Sequence, residues 1–142
     1  MNNPFRILLV DDDADDREIF CDTMIDIDSN TSCVTAFDGF DAFEVLYKST
    51  NTLPDVIFLD LNLPRLSGKQ FLSQLREHPV FKTIPVVIYT TSRSLKDMDD
   101  TRAMGAIEFL TKPTRSKDLT MALSNIMEQL LYHPEPAANY PS

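Results

Sequence analysis

The sequence predicts an α/β domain: a doubly wound, three-layer structure with a five-stranded parallel sheet between helices. Two observations predict it. Five short apolar runs alternate with five stretches that carry apolar residues at helical spacing, which reads as a chain of βα units. The runs are mostly apolar, as in strands buried on both faces. Size agrees: 142 residues fit one domain, and such a chain buries about 68–70% of its unfolded surface, enough to need no disulfide or structural metal. Crossovers should be right-handed.

Residues 6–10 (RILLV) read as the first strand. Phe20, Met24 and Ile27 place a helix over 13–27. A second strand over 33–37 leads to the Asp38-Gly39 turn, then a helix over 40–48 with Phe43 and Tyr47 on one face. Pro54 precedes the third strand, which ends at Asp60. Ser67 is a plausible cap and Pro79 a stop for a helix over 67–77. Pro85 opens the fourth strand, and Gly105 can close a polar helix over 94–104. Residues 107–110 are the fifth strand. Leu119, Leu123, Ile126 and Leu130 give 116–131 the clearest amphipathic stripe. The ten residues from His133 hold three prolines, so 132–142 is expected to be a disordered tail after a domain over 5–131.

With 22 acidic against 13 basic residues, net −9, the chain is a poor candidate for nucleic-acid binding. The charge is uneven. Residues 1–60 hold 14 acids and 3 bases, whereas 61–142 hold 8 acids and 10 bases. A cation is the simplest reason to gather carboxylates in the first half. Cys21 and Cys33 lack metal-ligand spacing and read as buried reduced thiols. No signal peptide precedes Phe5 and no apolar run approaches membrane-spanning length, so a cytoplasmic protein without a membrane partner is expected.

In open α/β sheets, ligands bind outside the carboxyl ends of the strands. Here those ends carry Asp11-Asp12-Asp13, Asp60, Thr90-Thr91 and Lys112-Pro113. Carboxylates about 4 Å apart repel by roughly 4 kcal/mol per pair at an effective dielectric near 20, before screening. Mg²⁺ relieves this repulsion and accepts two or three carboxylates plus waters. A carboxylate, an ammonium and a hydroxyl around such an ion suit an incoming phosphoryl group.

The segments LLVDDD (8–13), IFLDLNLPRLSG (57–68), VIYTT (87–91) and FLTKP (109–113) resemble the four signatures of the response-regulator receiver domain. The resemblance covers about residues 5–131, and four motifs in order are very specific. It implies a flavodoxin-like (CheY-like) sheet in the order 2-1-3-4-5 and a phosphohistidine donor on a histidine kinase. It also implies Asp60 as phosphoacceptor, Asp11 and Asp12 as the acidic pair, and the backbone carbonyl of Asn62 as a further metal ligand. By the same likeness Thr90 is the switch hydroxyl, Lys112 the active-site lysine and Phe109 the aromatic switch position. RLSGK, HPVFK and IPVVIYTTS are similar to stand-alone receivers paired with phytochrome-type histidine kinases, although other single-domain receivers share these phrases.

Two departures matter. Thr91 stands where a small residue is usual, which should narrow access and slow turnover. Phe109 lacks the hydroxyl of a tyrosine. With no output domain after residue 131, the signal is expected to leave through a partner protein. The usual output face spans about 94–131, and a homodimer through it is a further option. The helix over 94–104 has only Leu95, Met98, Ala103 and Met104 to bury and should shift easily.

Simpler readings apply elsewhere. Asp13, Asp15 and Asp16 read as a solvated helix N-terminus. Pro113 could follow a cis bond. His78 and His133 look like exposed loop residues, the six methionines like core filler, and Phe37, Phe40 and Phe43 like core. An aspartyl-phosphate phosphatase would need an acid where Asn62 stands, and a binding-only relic would lack part of the set.

Overall fold

The computed structural model describes residues 3–132. Of the tail expected over 132–142, residues 133–142, His133 included, lie outside the described residues. The elements run β1 (Phe5–Val10), α1 (Ala14–Ile27), β2 (Thr31–Ala36), α2 (Gly39–Lys48), β3 (Val56–Leu59), α3 (Gly68–Glu77), β4 (Val86–Thr90), α4 (Leu95–Ala103), β5 (Glu108–Thr111) and α5 (Ser116–Tyr132). One parallel sheet has the order β2-β1-β3-β4-β5. Class and strand order are those expected from the sequence.

Alternation along the strands builds two cores. Leu8, Val10, Ile57, Leu59, Val86 and Ile88 pack with Leu46 of α2 and with Phe71, Leu72 and Leu75 of α3. Ile7, Leu9, Val56, Phe58 and Val87 face the other way, onto Phe20 and Met24 of α1 and Leu119, Leu123 and Ile126 of α5. Phe20 and Phe58 meet edge-on at 4.9 Å. Each such fully buried apolar side chain contributes on the order of 1.5–3 kcal/mol.

Helix starts follow the capping rules. Asp13, Asp38 and Ser94 cap α1, α2 and α4 by accepting from the N–H groups of Asp16, Asp41 and Asp97. Ser67 and Gln70 form a capping box on α3. Gly105, at φ +95°, ends α4 as expected.

Several expectations are corrected. Cys21 and Cys33 are joined in a disulfide, not free. Packing of α1 over β2 brings their Cα atoms to 5.8 Å, inside the range a disulfide spans; sequence spacing does not reveal that proximity. Phe37 and Phe40 are each 51% exposed rather than core, because they flank the Asp38-Gly39 turn at the sheet margin; Phe43 does pack on the core. Met121 is exposed, while Met24 and Met127 are buried. β2 starts at Thr31, since pairing with Phe5 extends the edge strand over polar residues. No described peptide bond is cis, so Pro113 follows a trans bond. Tyr132 still belongs to α5. His78 is the half-buried C-cap of α3. It stacks on Phe81 at 4.1 Å and meets the Tyr47 hydroxyl at 3.0 Å. No helix among the described residues is long and apolar enough to cross a membrane.

Candidate functional site

The register of the sheet assembles the site. Val10 pairs with Leu59, so the next residues, Asp11 and Asp60, emerge side by side at the carboxyl ends of β1 and β3. Their backbones stay in the ladder, Asp60 N–H donating to the Val10 carbonyl at 2.9 Å and Asp11 N–H to Ala36 at 3.0 Å. Both side chains are buried. Lys112 extends the β4–β5 pairing by donating its N–H to the Thr90 carbonyl at 2.7 Å. Its side chain passes over the Tyr89 ring, with Nζ 5.4 Å from the centroid. Nζ donates to Asp11 Oδ2 (2.7 Å), Asp16 Oδ2 (2.9 Å) and Asp60 Oδ2 (3.1 Å). The other carboxylate oxygens accept from local amides, Asp11 Oδ1 from Asp13 N–H at 3.0 Å and Asp60 Oδ1 from Asn62 N–H at 3.1 Å.

The electrostatics follow from burial. Desolvation raises the Asp11 carboxyl above its ordinary value, despite opposing bonds from Lys112 and the Asp13 N–H. Burial works against the Lys112 ammonium, but its bonds to Asp11 and Asp16 prevail and raise its pKa. Burial pushes the Tyr89 hydroxyl up to about 12. Asp11, Asp12 and Asp60 each offer an oxygen within 4.8 Å of the others, a set able to hold a cation. Asp12 is exposed.

Thr90, Thr111 and Phe109 complete the edge. Thr90 is fully buried, and its hydroxyl oxygen accepts from Ser92 N–H at 3.4 Å. Pairing of Ile88 with Phe109 and Thr90 with Thr111 puts Phe109 diagonal to Thr90 on one face of the sheet. Half-buried Phe109 packs on the core there and lines a cleft of about 210 Å³ with Met98, Thr101 and Ala106. Thr91 is exposed.

The loop after β3 is tightly specified. Arg65 has φ +62°, costly for a non-glycine residue. A Leu66 N–H bond to the Pro64 carbonyl closes the tight turn around it, and the guanidinium compensates by bonding buried Asp38 (Nε at 3.0 Å) while lying 5.0 Å over Phe40. Gly68 is required by close approach: a Cβ there would stand 2.3 Å from the carbonyl oxygen of Asp60.

The structure thus gathers Asp11, Asp12, Asp60 and Lys112, with Thr90 on the same edge. It also brings in Asp16, expected as a solvated helix-start acid but bonded to Lys112. Asp16 is the third helical residue after the Asp13 cap, and helical side chains lean toward the N-terminus. That geometry was a usable signal. Asp38 and Arg65 were missed too, because their pairing spans 27 residues.

Residues 7–124 match the family model for the response regulator receiver domain. The chain is 30% identical to response regulator Rcp1 of Synechocystis over 129 residues, 88% of each protein. It is 37% identical over 90 residues to protein PilG of Pseudomonas aeruginosa, covering 63% of this chain and 64% of PilG. The chain spans 28% to 64% of the length of three curated relatives it matches, PilG included. Among solved structures, the phosphorylated cyanobacterial phytochrome response regulator RcpA superposes with TM-score 0.82 at 28% identity, over 90% of this chain and 94% of RcpA. The Mn²⁺-bound form of Rcp1 gives TM-score 0.78 at 29% identity, over 91% and 94%.

Proposed function

The chain belongs to the response regulator receiver domain family, and from that premise we propose that it accepts a phosphoryl group on Asp60 from the phosphohistidine of a histidine kinase. Transfer depends on Mg²⁺, and the phosphorylated domain signals through a protein-binding surface. The observation that carries this reading is the buried cluster in which one lysine, Lys112, bonds both Asp11 and Asp60 at adjacent strand ends.

The residues fit the ion. Oxygens of Asp11, Asp12 and Asp60 all lie within 4.8 Å of one another, two of them on buried carboxylates, and such a set of hard oxygen donors is the kind Mg²⁺ would take, with waters completing its shell. The Asn62 carbonyl is the fourth protein ligand in this reading. When bound, the ion supplies positive charge to the transferring phosphoryl oxygens and relieves the carboxylate repulsion. The Asp60 carboxylate attacks phosphorus, the P–N bond breaks, its electron pair returns to the imidazole, and an acyl phosphate forms. Lys112 neutralises one phosphoryl oxygen. The Thr90 hydroxyl donates to another, leaving its long bond with Ser92, and Phe109 turns into the space vacated.

The protein is a phosphoacceptor, limited to self-phosphotransfer and autodephosphorylation rather than turnover of a separate substrate. Its receiver spans 5–131. Its output face is α4, β5 and α5, taken by a downstream protein or by a second copy, with no nucleic acid or membrane involved. Similarity to Rcp1 and RcpA supports a phytochrome-type kinase as donor, and donor and acceptor meet in the cytoplasm. Incubation with acetyl phosphate and Mg²⁺, read by intact-protein mass, should add one phosphoryl group per chain, and excess EDTA should prevent it. Uptake that is equal in EDTA, or absent with Mg²⁺, contradicts the reading.

A further inference from the structure

We propose that Asp16 is a positioning residue for phosphoryl transfer: it tethers the Lys112 ammonium when the metal ion and the phosphoryl group draw Asp11 and Asp60 away from it. This inference rests on the receiver chemistry proposed above.

The three ammonium protons of Lys112 meet three carboxylates, at 2.7, 2.9 and 3.1 Å from Nζ. Two of these partners are committed elsewhere during the reaction. Asp11 and Asp60 belong to the oxygen set that can hold a cation, and Asp60 is also the acceptor. One oxygen of each also accepts from a backbone amide and the other from Lys112, so an entering ion or phosphoryl group must compete with Lys112 for these carboxylates. Asp16 is outside the cation set. Neither the metal nor the phosphoryl group calls on its oxygens.

Asp16 is also well placed to hold still. Its N–H donates to the capping carboxylate of Asp13 at 2.9 Å, which fixes its backbone in the first turn of α1. Phe20 and Met24 anchor the same helix in the core. Lys112 arrives from β5, at the far edge of the sheet, on a long flexible side chain that is only 9% exposed. Without Asp16, loss of the Asp11 and Asp60 bonds would leave the ammonium with none of its three carboxylate partners. A tether on α1 keeps it beside Asp60 for the incoming phosphoryl oxygen, and a charged hydrogen bond of this kind is strong enough to matter.

The test compares Asp16→Ala, which removes the acceptor, with Asp16→Asn, which keeps a carbonyl oxygen in its place. Acetyl phosphate with Mg²⁺ is the donor system. Initial phosphorylation rates are read by intact mass, Mg²⁺ affinity by titration without donor, and the Lys112 ammonium by its ¹⁵N resonance. Asp16→Ala should phosphorylate about tenfold more slowly, the loss expected for one hydrogen bond to a charged group. Asp16→Asn should recover most of that rate. Mg²⁺ affinity should stay within about twofold in both. The Lys112 resonance, sharp in wild type with Mg²⁺, should broaden in Asp16→Ala. A wild-type rate in Asp16→Ala overturns the tether. So does a rate loss that tracks lost Mg²⁺ affinity, which would make Asp16 a metal ligand, or a Lys112 resonance as sharp in Asp16→Ala as in wild type, which would show the ammonium held without it. A wild-type protein that takes no phosphate fails the proposed function instead, so the two failures are distinct.

Discussion

Helices α1 and α4 both begin at the carboxyl edge of the sheet, and they are held there in opposite ways. α1 buries Phe20 and Met24 completely, is joined to β2 through Cys21–Cys33, and sends Asp16 to Lys112. Its Arg17 donates to the Asp11 carbonyl at 2.9 Å. α4 buries only Thr101, and Leu95 at its start is 75% exposed. Its ties are polar: Lys69 of α3 reaches Asp97 at 2.7 Å and Asp100 at 3.0 Å, and the Ser92 hydroxyl donates to Asp97 at 2.6 Å. Apolar burial and a covalent link fix the side that holds the reacting groups. Ion pairs, weak in water, hold the side next to Thr90 and Phe109, so that side can shift at small cost.

The largest expected effect breaks the firm side. The disulfide closes a loop with sequence separation 12, and losing such a closure costs about 2–3 kcal/mol in the chain-entropy account. Reductant should lower the urea midpoint of the wild type and leave a Cys21→Ser/Cys33→Ser variant unmoved. A midpoint indifferent to reductant would mean that the link adds nothing to α1.

Next comes the charge at the head of α1. Asp11, Asp12 and Asp60 gather more negative charge than the one Lys112 ammonium offsets, so Mg²⁺ should raise the melting temperature of the wild type as its concentration rises. Asp12→Ala should be slightly more stable than wild type without Mg²⁺, by at most about 1 kcal/mol for so exposed a carboxylate, and should gain little from Mg²⁺. A variant that is less stable without metal, yet responds to Mg²⁺ like wild type, would make Asp12 structural.

The smallest effect sharpens the loose side. The Lys69 bond, and then the Ser92 bond, hold the Asp97 carboxyl below its ordinary value of 3.8. Because the folded value is the lower one, this stabilisation is present above pH 3.8 and is lost as pH falls through the folded value. Lys69→Ala should remove most of that acid dependence while costing under about 1 kcal/mol, less in high salt. Hydrogen exchange should quicken in α4 and not in α1. Equal quickening in both helices would mean that they form one cooperative unit.

The same contrast marks what the sequence made legible. Apolar runs and strand-end residues are local signals, so the parallel sheet and the gathering of Asp11, Asp12, Asp60 and Lys112 could be read in advance, while the strand order came from the family resemblance. Pairings set by three-dimensional proximity could not. Cys21 meets Cys33 only because α1 packs over β2, and Arg65 meets Asp38 across two loops. The polarity of α4 was visible, but not its particular tie from Lys69. Phe37 and Phe40 misled because apolar composition carries no information about position at a sheet margin.

The most direct measurement compares wild type with Asp60→Asn after acetyl phosphate and Mg²⁺ treatment, by intact-protein mass, with circular dichroism confirming that both are folded. Wild type should gain one phosphoryl group and Asp60→Asn none. A folded Asp60→Asn protein that retains phosphate at the wild-type level would place the acceptor elsewhere.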